Sequence, residues 1–147
     1  HALEALALVA ERDTHERACA SPERQALRRA RCCYGHLAGQ LGVALFESLL
    51  QADALHSTTD GFALSAHGQA WLQRLGLEAP APTGRRRYAY RCLDWSERRD
   101  HLAGQLAESL YRQFVAQGWL RREHGRALEI TPRAHTALLP HLLSNRL

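Results

Sequence analysis

Two cysteine–histidine pairs carry the chemistry most readily read from this sequence: Cys33-x-x-His36, and Cys92 with His101. Thiolate and imidazole are ligands for soft and borderline cations. A tetrahedral set of two of each suits zinc and tolerates cadmium or lead, so a divalent soft metal is the candidate cofactor. The spacing differs between the pairs, three residues in one and nine in the other. In the competing reading His36 and His101 cap or hydrogen-bond the start of a helix, and Cys33 and Cys92 are small buried apolar residues. The adjacent thiols Cys32 and Cys33 form a second candidate, a redox or metalloid site whose thiolates Arg28, Arg29 and Arg31 would favour. Its alternative is an inert pair with one thiol facing the core. Catalysis is not expected. Cys33 and His36 supply a nucleophile and a base, but no partner motif or glycine-rich phosphate loop accompanies them.

The elements that must position these residues are organised by a repeat. HLAGQL occurs at His36–Leu41 and again at His101–Leu106, 65 residues on. Extended to His36–Leu55 against His101–Leu120, 8 of 20 positions are identical. The sequence thus predicts two copies of one supersecondary unit, stacked to bury their apolar faces. In the first copy Leu37, Leu41, Leu45 and Leu49 recur every four residues, which predicts a helix from about Tyr34 to Ala52. Gly39 and Gly42 fall inside it and point to a close backbone approach. Asp60-Gly61 marks a hairpin between Leu55 and Ser65, and Ser65 caps a helix ending at Gly76. In the second copy a helix is expected from Ser96 or His101 to Gln117, with Leu102, Leu106, Leu110 and Phe114 inward. A hairpin about His124-Gly125 follows, then Thr131-Pro132 and a last helix carrying Leu138, Leu139, Leu142 and Leu143. Asp94-Trp95-Ser96-Glu97 is read as a helix start with Asp94 or Ser96 capping, or as the wall of a small-ligand pocket.

Upstream, Leu3, Leu6, Val9 and Ala10 suggest a helix tail over residues 1–19, and Ser21-Pro22-Glu23 starts another helix. The resulting organisation is 1–31, N-terminal helices; 32–77, the first unit; 78–90, a Pro/Gly-rich linker; 91–147, the second unit. The fold class is α+β, mostly α, built from two winged-helix-like units of long helix, β-hairpin and helix.

Composition bounds the rest. With 147 residues, 46% hydrophobic and 23% charged, the chain is an ordinary globular one. It lacks Met and opens in helical sequence, as a fragment of a longer protein would. Neither a membrane span nor a signal peptide is visible, so a cytoplasmic location with reduced thiols is expected. All 19 basic residues are Arg against 15 acids, a mild excess that does not demand nucleic acid. Arg85, Arg86 and Arg87 form the one local cluster that could meet phosphate, the alternative being a solvated linker.

At CCYGHLAGQLG, at the Phe-Ala-Leu-Ser-x-x-Gly run ending at Gly68, and at RCLDWSERRDHLAGQL, the sequence resembles a group of bacterial ArsR-type transcriptional regulators. The resemblance implies an upstream winged-helix DNA-binding domain, with HALEAL similar to the segment leaving it. It further implies a homodimeric repressor that releases operator DNA on binding an inducer, often a thiophilic metal. The Cys-Val-Cys-type motif usual in the family's metal sensors is absent here. This chain would then be the effector or dimerisation region; the alternatives are a purely structural dimerisation module or a domain for a small organic ligand.

Overall fold

The computed structural model of the chain describes residues 21–142. The expectations for residues 1–19, including Cys19, and for Leu143 lie outside them. In order, the described elements are α1 (Pro22–Arg29), β1 (Arg31–Cys33), β2 (His36–Ala38), α2 (Gly39–Gln51), β3 (Leu55–Thr58), β4 (Gly61–Leu64) and α3 (Ala66–Arg74). Then come β5 (Tyr90–Leu93), β6 (Asp100–Ala103), α4 (Gln105–Ala116), β7 (Leu120–Arg122), β8 (Leu128–Ile130) and α5 (Pro132–Ala137), with a 3₁₀ turn at Leu139–His141. The fold is α+β, with more helix than strand, and contains the two winged-helix-like units: α2–β3–β4–α3 and α4–β7–β8–α5. No described helix is long and apolar enough to cross a membrane.

Both wing hairpins form where the turn residues place them. Gly61 takes φ +149° after Asp60, and Gly125 takes φ +63° after His124. Ser65 Oγ accepts the Gly68 N–H at 3.0 Å, capping α3, and Thr131 Oγ1 accepts the Ala134 N–H at 3.4 Å, capping α5. The last helix is shorter than expected: α5 stops at Ala137 with Leu138 as its C-cap, and Pro140, which has no N–H to continue the ladder, lies in the following 3₁₀ turn.

The larger correction concerns the repeat itself. HLAGQL is not the interior of a helix but the junction of a strand with a helix. His36–Ala38 and Asp100–Ala103 are strands, and the helices begin at Gly39 and Gln105. The hinge is the repeated glycine, Gly39 at φ +79° and Gly104 at φ +100°, a conformation that side-chain-bearing residues avoid. Close approach adds to this. A Cβ on Gly39 would lie 2.7 Å from the Arg28 carbonyl oxygen, and one on Gly104 would lie 2.8 Å from that of Tyr88. Gly39→Ala should therefore cost at least about 2 kcal/mol, from the left-handed backbone and the displaced carbonyl together. The urea midpoint measures it; an unchanged midpoint would mean that the hinge relaxes freely.

Asp94–Glu97 likewise starts no helix. These residues lie in the loop joining β5 to β6, where Asp94 turns its carboxylate back onto the N–H groups of Ser96 (3.1 Å) and Glu97 (3.2 Å), a local alternative to helix. Nor do they line the groove of about 650 Å³ that runs between Phe62, Leu64, Pro80, Pro82 and Tyr88.

The two units interlock. Helix α2 packs on β6, α4 packs on β2, and β2 meets β6. Each wing is bridged to the backbone at the start of the opposite short hairpin, Phe62 to Ala89 and Ala127 to Arg31. Phe62 N–H donates to Ala89 O (2.8 Å), while Leu128 N–H donates to Ala30 O (3.0 Å) and Cys32 N–H to Arg126 O (2.9 Å). Leu41, Leu49, Leu106, Leu110 and Phe114 are fully buried in one core drawn from both units. Helix α2 is buried on nearly every side, as a helix held between α1 and the opposite hairpin must be.

Candidate metal centre

Two short hairpins bring the cysteine–histidine pairs together. In β1–β2 the cross-strand partners are Cys33 and His36, closed by a tight turn with Tyr34 at φ +50° and Gly35 at φ +91°. In β5–β6 the partners are Cys92 and His101, closed by a loop several residues longer. The same pairing therefore underlies both spacings. Facing cross-strand side chains are near neighbours, and the contact of β2 with β6 sets one pair against the other. One ligand atom from each of Cys33, His36, Cys92 and His101 lies within 4.8 Å of every other, and all four residues are buried. Ala38 and Ala103, equivalent in the repeat, join Cys33 and Cys92 in a small separate apolar cluster at the site. Gly42 admits the Leu37 carbonyl oxygen, which would lie 2.6 Å from a Cβ there, beside His101, whose own Cβ would be in ordinary contact at 3.5 Å. Neither histidine caps a helix, because both lie in strands.

The Nε2 atoms of His36 and His101 are 3.0 Å apart. On its other side His101 Nδ1 lies 2.8 Å from Asp94 Oδ2. That carboxylate is fully buried and is a hub: it accepts from Arg31 Nη2 at 2.9 Å, from the Gly39 N–H at 2.7 Å and from Ser96 Oγ at 2.9 Å. Helix α2 thus begins on a carboxylate supplied by the other unit, where its first N–H groups favour negative charge. Arg31, itself fully buried, lies beneath Trp95, its guanidinium carbon 4.3 Å from the ring centroid.

These contacts decide the charges. Burial, then the positive charge of His101, pushes His36 down to about 3, so it is neutral. Burial also disfavours the His101 cation, but hydrogen bonds to Asp94 and Cys33, with their charges, outweigh it and raise its pKa. Burial works against ionised Asp94 as well. The His101 hydrogen bond, the Arg31 and His101 charges and the Gly39 N–H overcome it and hold the carboxyl well below its usual range. The two shifts run in opposite directions, so of the two rings His101 is the one that takes the proton more readily, with its Nδ1 toward Asp94. A cation held by the cluster would take the place of any proton on His101 Nε2 and of the thiol protons of Cys33 and Cys92. The Nδ1–H stays on Asp94, giving the carboxylate–histidine–metal arrangement that orients ligands in metalloproteins.

Tetrahedral bonds of about 2.0–2.1 Å to nitrogen and 2.3 Å to sulfur place ligand atoms about 3.4–3.8 Å apart. The four ligand atoms lie within 4.8 Å of one another, so the widest pairs would draw in by up to about 1 Å, while the two nitrogens, 3.0 Å apart, would separate by a few tenths of an ångström. Four protein ligands with no exposed face leave no position for substrate, as in sites that hold a metal rather than use it for catalysis.

The chain is similar to a transcriptional regulator. It is 36% identical over 124 residues to YdfF of Bacillus subtilis (strain 168), named an uncharacterized HTH-type transcriptional regulator. The match covers 83% of the chain and 55% of YdfF, so the chain spans about half the length of that relative. No family model matches the chain, and no solved structure does.

The other candidates are placed differently. Cys32 and Cys33 are successive strand residues and face opposite ways: Cys33 belongs to the buried cluster, whereas half-buried Cys32 packs on the main core. The adjacent thiols are therefore not presented together. Arg86 pairs with Glu108 at 2.6 Å, and Arg87 donates to the Asp60 carbonyl at 2.7 Å and stacks over Tyr90, so two of the three linker arginines are engaged within the chain. Arg85, beside them, is exposed. From the sequence, Asp94 reads as a helix cap or a pocket wall and Arg31 as a charge favouring the Cys32 and Cys33 thiolates, neither as a support for a ligand histidine. The available signal was that a ligand histidine needs a partner for its second nitrogen, and Asp94 is the carboxylate two residues beyond Cys92.

Proposed function

We propose that this chain is the C-terminal effector and dimerisation region of an ArsR-type transcriptional regulator, and that it holds one zinc ion, or a softer divalent metal, between Cys33, His36, Cys92 and His101. The observation that carries the metal reading is the convergence of the four buried ligands with Asp94 behind His101. Similarity to YdfF over half of that protein's length supports a regulator whose remaining part, outside this chain, contacts operator DNA. The thiolates give the site its preference for zinc, cadmium or lead over harder cations. Each ligand pair comes from a different unit, so an occupied site ties the units to one another. Occupancy then favours one arrangement of the repeats and, in a homodimer, one spacing of the DNA-binding domains. Half-site spacing on DNA is fixed by the duplex, so a changed spacing changes operator affinity.

The test is made on the longer protein. Genomic fragments retained by the metal-free protein are isolated, and their affinity is measured by anisotropy with and without saturating zinc or cadmium. A change of about 5- to 150-fold is expected, the usual span of allosteric coupling. Equal affinities would leave the metal a purely structural role.

A further inference from the structure

The contacts of Asp94 reach beyond the metal ligands to the helix that leads toward the N-terminal part of the chain. Arg31 holds Asp94 Oδ1 with Nη2 at 2.9 Å, while its Nη1 donates to the Leu27 carbonyl at 3.2 Å and to Ser96 Oγ at 3.0 Å. Leu27 lies in the last turn of α1, whose terminal carbonyls have no partner within the helix. One planar guanidinium therefore joins the end of α1 to the carboxylate behind a ligand histidine, a two-armed geometry that a lysine ammonium does not reproduce. A second tie runs parallel to it, Arg28 Nε to Glu97 at 3.6 Å, from α1 to the same loop. Asp94 also receives the first N–H of α2. The loop after β5 is thus fastened at once to the ligand, to α1 and to α2.

We propose that Asp94 is a positioning residue that fixes His101 for the metal and, through Arg31, transmits occupancy of the site to α1. This rests on the metal reading above. Filling the site locks the His101 ring, which fixes the Asp94 carboxylate. The fixed carboxylate holds Arg31, and Arg31 holds the carbonyl end of α1. Helix α1 is the described element nearest the N-terminal side, from which a DNA-binding domain would be moved.

The experiment uses the full 147-residue chain, reduced, with cobalt(II) as spectroscopic probe and hydrogen–deuterium exchange of peptides covering residues 22–30 as readout. In the wild type, metal should slow exchange in α1. Asp94→Asn should bind cobalt(II) about 10- to 100-fold more weakly, with shifted ligand-field bands, as loss of a ligand's carboxylate partner does. Metal should then no longer protect α1. Arg31→Lys keeps the charge and guards against a misfolded Asp94 variant. It should retain the wild-type cobalt spectrum and affinity within a few-fold but lose the metal-dependent protection of α1. If wild-type chain gives no thiolate-to-cobalt absorption, the metal reading fails. If it binds cobalt, yet both variants bind equally well and protect α1 equally well, the transmission proposal fails and the metal site stands.

Discussion

Cys33→Ser and Cys92→Ser are each expected to weaken zinc binding by roughly 100- to 1,000-fold. Structural zinc sites of this kind bind with about 10–16 kcal/mol, or about 2.5–4 kcal/mol for each of four ligands, and 1.4 kcal/mol is tenfold in affinity. Serine removes the thiolate while keeping nearly the same volume, so the apolar cluster of Cys33, Ala38, Cys92 and Ala103 stays filled. The effect on the metal-free fold should accordingly be small, which separates loss of a ligand from loss of structure. The symmetry of the site makes the prediction stricter. Cys33 and Cys92 occupy matching positions opposite His36 and His101, so the two variants should fall by similar factors. Competition against a chromophoric chelator measures both. A large loss in one and none in the other would mean that the pairs do not share one ion.

Removing the metal should lower thermal stability to nearly the same extent as breaking the site. Zinc at 1,000 times its dissociation constant adds about 4 kcal/mol to the folded state. For a chain of this size that corresponds to a Tm rise of roughly 10–15 °C. The gain should vanish with a chelator and fall to about 0.4–1.4 kcal/mol in the cysteine variants at the same zinc concentration. The reason is topological: the ligands come from hairpins of different units, and the unfolded chain, with Cys33 and Cys92 far apart in sequence, has no preformed site. A chain that serves only to dimerise behaves otherwise. Its Tm would follow protein concentration and ignore zinc.

Much of this architecture is legible in the sequence because the signals are local. The Asp60-Gly61 and His124-Gly125 turns and the Ser65 and Thr131 caps act through residues adjacent to the elements they bound, and the duplicated HLAGQL announces the two units. The ligand hairpins are not local in that sense. Residues 36–38 continue the apolar stripe of α2, and only three-residue pairing with β1, together with packing on the other unit, makes them a strand. The unequal spacing of the pairs argues against a shared site in sequence, yet it records only the length of the connecting loop, which register leaves free. Asp94 illustrates the same limit. Its Asp-Trp-Ser-Glu context reads as the start of its own helix, whereas its carboxylate meets the first N–H of α2, 55 residues away in sequence.

The most direct measurement is zinc K-edge absorption on the reduced, zinc-loaded full chain, with the metal content determined in the same sample. One ion per chain is predicted, with two sulfur neighbours at about 2.3 Å and two imidazole nitrogens at about 2.0–2.1 Å. A chain that retains no zinc, or a shell of nitrogen and oxygen without sulfur, would contradict the account.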